Sequence, residues 1–429
     1  MAHVTDFEEE LFERLVDDPD SAGGLSDTQH QVEPRNFLRH MAALAGSKLG
    51  DGLVDAKLVL SWLITHLGAG PVFVGLLVPV REAGSLLPQL FTAGAIGALA
   101  RRKWVWAVGA AVEGLAALGI ALVALTMRGF WAGVAIVGLL AVLALARSAC
   151  SASYKDVLGK TVGKARRGTV TGFASSLGAA GVIVFALLLL FAPIERAALV
   201  IGAVALAGVI WIVSGLVFAT LAEEPQPRKD ILPLRETLGQ LRLIRTDGQL
   251  ARFIAARALL VGSALAPPYL LVLAALDSDG EGELGLLVLA SALASLLSSW
   301  VWGRMSDRSA RRVLILSGVA AALALLLGLG LHALGMAEAA GVAVVLFGLM
   351  IAYHGVRQGR TTYLVDMAPK DLRAAYTAVS NLAVGVVLLA AGAVSAALAM
   401  IGTPLVIAVF AAASALGAWV AFGLDEVSG

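Results

Sequence analysis

Glu223-Glu224-Pro225-Gln226-Pro227-Arg228-Lys229-Asp230 is the stretch on which the organisation of this 429-residue chain turns. It opens the longest hydrophilic interruption in an otherwise apolar sequence, continuing to Gln249, and apolar runs fall in equal number on either side. A helix needs about 20 apolar residues to cross the roughly 30 Å hydrocarbon layer of a bilayer. Before the interruption such runs lie near 50–69, 71–100, 104–126, 130–150, 168–192 and 197–220. After it they lie near 252–275, 284–302, 313–333, 340–356, 374–397 and 404–423. The fold class expected is an all-α polytopic membrane protein with twelve transmembrane helices in two six-helix bundles. Its parts are an acidic cytoplasmic tail at 1–47, a bundle at 48–221, a cytoplasmic linker at 222–250, a second bundle at 251–424 and a short cytoplasmic tail at 425–429.

Composition agrees, since 59% of residues are hydrophobic and 15% charged, against about 45–50% and about 25% in soluble domains. A transmembrane β-barrel would need alternating apolar and polar residues, which these runs lack. The net charge of +1 and the absence of a basic patch interleaved with aromatics exclude nucleic acid as a partner. The single cysteine, Cys150, excludes an internal disulfide and a cysteine-built metal site, and the six histidines show no close i, i+4 pairing. No metal or cofactor is expected.

Charge asymmetry orients the spans. With a cytoplasmic N-terminus, the loops around 101–103, 155–167, 228–252, 304–312 and 357–373 hold nearly all the loop Lys and Arg, while the outside loops hold only Arg128 and Arg196. The positive-inside rule then places both termini in the cytoplasm. Among residues 1–20, acids outnumber Arg14 heavily, so this is not a secretory signal. It reads either as a solvated tail or as a short acidic helix with Phe7, Leu11 and Leu15 on one face.

The two halves echo each other. Arg147 precedes Asp156 by nine residues, and Arg357 precedes Asp366 by nine, each pair at the end of the fourth span of its half. Each Asp is followed by a basic turn, Lys164-Ala165-Arg166-Arg167-Gly168 or Lys370-Asp371-Leu372-Arg373. A parallel internal repeat of this kind is one architecture of secondary transporters.

Between spans eight and nine stands Gly303-Arg304-Met305-Ser306-Asp307-Arg308-Ser309-Ala310-Arg311-Arg312. It resembles the major facilitator superfamily signature G-x-x-x-D-R-x-G-R-R, with Ala310 in place of the second glycine. The matching loop of the first half, Gly97-Ala98-Leu99-Ala100-Arg101-Arg102-Lys103, keeps the basic run without the acid. Tyr363 to Arg373 is also similar to the family's loop after span ten. The resemblance implies a rocking-bundle transporter working by alternating access, with a cytoplasmic gate at Gly303, Asp307, Arg308, Arg311 and Arg312. Asp307 can accept hydrogen bonds from a neighbouring helix N-terminus, and the arginines can pair with carboxylates across the inner surface. The alternative is that these arginines only set topology. Arg147 with Asp156, and Arg357 with Asp366, would latch the same gate, or the two arginines would simply snorkel.

Ionisable groups inside the spans are functional candidates, because each costs about 2.5–3.5 kcal/mol near the bilayer centre on insertion scales. Asp51, Asp55, Trp62 and His66 recur at helical spacing in span one, with Asp51 at the inner interface and Lys57 on another face. Arg81 lies about 15 Å below Pro71 at 1.5 Å per residue, among Pro79, Gly84 and Pro88, which invite a broken helix. Glu82, Ser85 and Gln89 form a polar stripe, and Glu113 sits near mid-depth of span three. The expected cavity set is Asp55, Lys57, Arg81, Glu82, Gln89 and Glu113, nearly all the chemistry in the first half; the second offers Arg257, His354 and Asn381. Glu82 or Glu113 is read either as a proton carrier, with Asp55 a further candidate, or as a permanent partner of Arg81 or Lys57.

No G-x-x-x-x-G-K-[ST], G-x-S-x-G or H-E-x-x-H pattern occurs, which points away from direct ATP use and from catalysis. The chain is expected to be a non-enzyme. The first functional expectation is proton-coupled export of a drug-like or metabolite molecule. The alternatives are uptake or facilitated diffusion of an anionic or polar metabolite, which Arg81 and Lys57 favour, and a non-transporting sensor. The expected partners are a small-molecule solute, protons or another coupling ion, and the lipid bilayer of a prokaryotic cytoplasmic membrane, with a monomer as the working unit.

Overall fold

The computed structural model describes residues 4–16, 24–225, 239–275, 283–369 and 372–427. Every regular element among them is helical. The first half comprises α1 (Asp6–Leu15), α2 (Asp27–Gln31), α3 (Glu33–Leu53), α4 (Val59–His66), α5 (Pro71–Leu86), α6 (Gln89–Gly97), α7 (Lys103–Thr126), α8 (Gly129–Thr161), α9 (Arg167–Phe191) and α10 (Arg196–Ala219). The second comprises α11 (Leu243–Thr246), α12 (Gly248–Leu259), α13 (Gly262–Leu265), α14 (Pro267–Ala275), α15 (Glu283–Arg308), α16 (Ala310–Ala333), α17 (Ala339–Met367), α18 (Arg373–Ala399) and α19 (Thr403–Phe422). Among the described residues, nine helical segments are long and apolar enough to cross a membrane. Large apolar side chains such as Leu122, Trp131, Phe191, Leu216, Leu323 and Trp419 stand exposed around the outside. A surface this apolar is stable facing lipid and not water.

Three runs read as single spans are interrupted. The first predicted span is divided between α3 and α4, because Asp55 Oδ1 accepts the backbone N–H groups of Lys57 and Leu58, each at 2.9 Å, and so starts a new helix. The second breaks at Pro88, which has no N–H to donate, so α6 starts afresh just beyond it. The run at 252–275 breaks after Leu259 and again before Pro267-Pro268. Backbone breaks at membrane depth occur where they are buried in protein or line a cavity, and all three lie in the interior.

The N-terminal tail is more structured than a solvated one. Thr5 and Glu8 form a reciprocal cap on α1, and its buried side chain is Phe12, packed edge-on against Phe37 at 5.2 Å, whereas Phe7 is exposed. The apolar face therefore centres one residue away from Leu11, against Leu158, Val162 and Val170. Residues 33–47 are the first turns of α3. Their buried Glu33 pairs with Arg166 and accepts the Gly163 N–H at 2.8 Å.

Packing within each half follows the same plan. In the first, α7 packs on α8 and α10, α3 on α9 and α10, and α5 on α8; in the second, α16 packs on α17 and α19, and α15 on α17. The halves meet where α5 crosses α18 and where α9 crosses α15. The repeat is clearest at the ends of α10 and α19. Arg39 donates to Thr220 O and Arg252 to Gly423 O, the first residue beyond each helix. Asn36 Oδ1 accepts the Ala222 N–H at 2.9 Å, and Gln249 Oε1 accepts the Asp425 N–H at 3.4 Å, again at corresponding positions. The next residue is an acid in both halves. Glu223 accepts the N–H groups of Arg102 and Lys103 at 3.1 and 2.8 Å at the start of α7, and Glu426 accepts the Ser309 hydroxyl at 2.7 Å at the start of α16.

The acid missing from the Gly97–Lys103 loop is thus supplied from 120 residues away by Glu223, fully buried and also 3.2 Å from Lys160 Nζ. A helix N-terminus favours an anion, and a buried ion pair stripped of one partner costs about 3–5 kcal/mol. Glu223→Ala is expected to destabilise the protein by about 3 kcal/mol on that scale. Denaturant unfolding in detergent checks this, and a loss below about 1 kcal/mol, the surface-pair range, would remove the capping role.

Candidate functional site

A cavity of about 860 Å³ lies between the halves. On α9 it is lined by residues from Thr171 to Val182, and on α15 by residues from Val288 to Trp302, so it lies toward the end that carries the loops 97–103, 161–167 and 308–310. At the opposite end Gly285 of α15 abuts Leu189 and Leu190 of α9, and Gly75 and Gly392 bring α5 and α18 together. The cavity therefore opens to one side of the molecule.

Two charged groups face each other across it. On the first-half side, Asp51 bridges two arginines: Oδ1 accepts from Arg81 Nη2 at 2.7 Å, and Oδ2 pairs with Arg147 Nη2. Arg147 Nη1 donates to Ser47 Oγ at 2.6 Å and lies 3.6 Å from Glu113 Oε2. Glu113 is fully buried, and among the described residues neither of its oxygens has a hydrogen bond. Because α3 begins at Glu33, Asp51 lies about 27 Å along its helix at 1.5 Å per residue, well into the bundle from the end at which the helix starts. Arg147 is likewise drawn inward to Asp51 and Glu113, and not to Asp156. Nine residues along one helix is a separation of about 14 Å. Asp156 instead pairs with Arg102 and, at 2.6 Å, with Lys160.

On the other side, Lys57 Nζ lies 3.6 Å from Glu82 Oε1 and 4.4 Å from the centre of the Tyr353 ring, whose hydroxyl donates to Glu82 at 3.3 Å. Tyr353, Arg357 and Arg360 of α17 and Arg257 of α12 line a small pocket with Glu82, continuous with the main cavity. Buried Arg257 donates to Ser380 Oγ at 2.6 Å and Asn381 Oδ1 at 3.2 Å, and Asn381 Nδ2 donates to Gln89 Oε1 across the halves at 3.1 Å. Gln89 also ties back to Ser85 O at 2.8 Å, so the polar stripe on α5 and α6 ends in a bridge to α18.

The structure thus brings Lys57, Arg81, Glu82 and Gln89 onto the cavity wall and Glu113 just behind it. Asp55 also lines the cavity, but its Oδ1 is engaged in starting α4. The second half contributes far more charge than the sequence suggested: Tyr353 and Arg360 were missed, and Arg357, expected at the gate with Asp366, stands on the cavity wall. Their i, i+4, i+7 spacing on one helix was a legible polar stripe. Arg357 lines the cavity, while Asp366 is exposed further along α17. Among the described residues no three His, Cys, Asp or Glu side chains converge on a metal-sized site.

At the loop end, Gly303 and Arg308 lie in the last turns of α15. The Asp307 side chain lies outside the described residues, as do Lys370 and Asp371. Ser309 caps α16 by accepting the Arg312 N–H at 3.1 Å. Among the described residues Arg311 reaches a helix end, donating to Phe422 O at 2.7 Å. Exposed carbonyls at a helix C-terminus attract cations, so this contact has the same physical basis as Lys103 on Ala219 O at 2.8 Å in the first half.

No family model and no curated protein matches the sequence. Solved structures do. A D-xylose–proton symporter superposes with a TM-score of 0.70 at 12% identity, covering 91% of this chain and 98% of that one. This chain has the major facilitator fold. The nucleoside transporter NupG gives a TM-score of 0.66 at 14% identity over 91% of this chain and 98% of its own. The inward-open xylose transporter XylE from E. coli gives 0.67 at 10% identity over 91% and 97%. At these identities the shared property is the fold alone.

Proposed function

We propose that the protein is a secondary active transporter that moves a small polar solute by alternating access, coupled to protons. The nine long helices, together with α3–α4, α5–α6 and α15, are taken as twelve crossings, six on each side of the linker, with both termini in the cytoplasm of a prokaryotic cell and a monomer as the unit. The observation that carries the coupling is Arg147 set between two carboxylates, bonded to Asp51 and 3.6 Å from an otherwise unpartnered Glu113. Protonating Glu113 leaves Arg147 wholly to Asp51; deprotonating it offers Arg147 a second anion and loosens the link between α8 and α3. Proton binding and helix contact are thereby linked, and linkage of this sort is reciprocal.

Charged groups on both walls favour a polar metabolite over an apolar drug. A cavity open on the basic-loop side, the cytoplasmic side by the positive-inside rule, is the state in which an exporter loads, and we take export as the direction. Purified protein in proteoliposomes, loaded with a pH-reporting dye, is expected to move protons when a transported solute is added, with the flux reversing when the proton gradient is reversed. Counterflow without proton movement would leave facilitated diffusion, and binding without counterflow would leave a sensor.

A further inference from the structure

The geometry points to an acid-recognition subsite on the second-half wall, formed by Lys57, Arg357 and Arg360, at which a phosphate or carboxylate group of the solute displaces Glu82. This rests on the transport reading above and assigns its substrate class: an anion, preferably one carrying more than one negative charge.

The argument is a charge balance. Around Asp51 the balance of paired groups is even, with Arg81 and Arg147 facing Asp51 and Glu113, and Lys48, which lines the cavity close enough to act electrostatically on Arg147 and Arg357, adds a further cation between the two walls. Around Glu82 it is not. Lys57 is Glu82's ion-pair partner, and among the described residues neither Arg257, Arg357 nor Arg360 forms an ion pair, although all three share a pocket with Glu82. Arg257 is committed to Ser380 and Asn381. Arg357 reaches only the Tyr353 side chain, Arg360 has no such tie, and both act electrostatically on Glu82. Asp55, the other acid nearby, has Oδ1 tied to backbone N–H groups. Guanidinium groups at membrane depth are costly and are normally matched by an anion, so one resident carboxylate among these cations leaves charge for a ligand to fill.

The geometry also supplies an exchange route. Glu82 holds its position through a 3.6 Å ion pair and a 3.3 Å hydrogen bond from Tyr353, both long for charge-assisted contacts. A phosphate or carboxylate offers planar or tetrahedral oxygens that guanidinium forks bind in pairs. Glu82 is on α5 and the arginines are on α17, so displacing Glu82 also cuts a tie between the halves, which is what a solute must do to drive the rocking step.

The test uses citrate, inorganic phosphate and glucose 6-phosphate, with glucose and chloride at matched ionic strength as controls, and reads thermal stabilisation of the full-length protein in detergent. At least one of the three anions is expected to stabilise the wild type beyond chloride and glucose. Its apparent affinity is expected to fall at least about tenfold in Arg360→Gln and in Arg357→Gln, one lost charge-assisted contact each. In Glu82→Gln the affinity is expected to rise, because the resident competitor is gone; a merely structural role for Glu82 would not produce that gain. No stabilisation by any of the three, an effect that survives both arginine substitutions, or a fall in Glu82→Gln overturns the subsite. Counterflow measured in parallel separates the two readings. Anion binding without counterflow sinks transport and keeps the subsite, while counterflow of glucose with no anion effect keeps transport and sinks the subsite.

Discussion

Glu113→Gln is expected to reduce proton-driven accumulation of solute by about a hundredfold while leaving solute exchange at equal concentrations within about twofold of the wild type, since a charge at this depth is worth about 2.5–3.5 kcal/mol. The reason lies in what surrounds the side chain. Glu113 is fully buried and among the described residues has no hydrogen bond to lose; its ion-pair partner, Arg147 at 3.6 Å, already spends its hydrogen bonds on Asp51 and Ser47, and Arg81 acts on it only electrostatically. Glutamine fills the same volume as the neutral acid, so packing against α10 and α8 should survive and the fold with it. What glutamine cannot do is become an anion and compete with Asp51 for Arg147. The variant is therefore locked in the protonated arrangement, in which the α8 to α3 link never weakens. Accumulation and counterflow measured on the same proteoliposomes decide it, together with their pH dependence, which should vanish in the variant. If counterflow falls as far as accumulation, Glu113 is a structural element and the carrier lies elsewhere, with Glu82 next in line.

The fold was legible because the bilayer imposes one length on every crossing, and apolar runs of that length leave little choice of secondary structure. The repeat was legible in outline through Arg147 and Arg357. What escaped were choices made locally or at long range. Asp55 starts a helix within what the hydropathy presents as one span, because a carboxylate two residues before free N–H groups competes with the continuing helix. Geometry keeps Arg147 apart from Asp156 on its own helix, while its partner Asp51 comes from 96 residues away. No spacing rule within one helix can find such a partner. Glu223 is the same lesson at the loop end: the first signature loop lacks its acid only when read as a segment, and the three-dimensional loop has one. Arg81 and Glu82, grouped by counting residues along the spans, line one cavity, with Glu113 behind its wall against Arg147.

Substituting Gly392 is expected to act on the conformational balance and not on the site. Here α18 crosses α5 so closely that a Cβ on Gly392 would lie 2.6 Å from the Pro79 Cβ and overlap the rest of its ring, and one on Gly75 would lie 2.9 Å from the Ala396 Cβ. Proline is rigid and cannot swing aside, so a side chain at 392 must push the helices apart. That crossing closes the end of the molecule opposite the cavity mouth, and the push is felt only while this end is shut. Overpacking costs about 1–3 kcal/mol, which at the upper end shifts a two-state balance by about 150-fold. Gly392→Leu is therefore expected to fold but to disfavour the state with the cavity open on the loop side, and Gly392→Ala to do so by a smaller step. Thr171→Cys, placed on the cavity wall, reports the shift through the rate of thiol labelling in a Cys150→Ala background, because native Cys150 lines the same cavity although it is only 1% exposed. Labelling should be fastest with the native glycine, slower in Gly392→Ala and slowest in Gly392→Leu, and transport should fall with it, by about a hundredfold for the leucine on the same scale. If labelling and transport stay at wild-type levels, α5 and α18 part by local repacking and this crossing is not what closes that end.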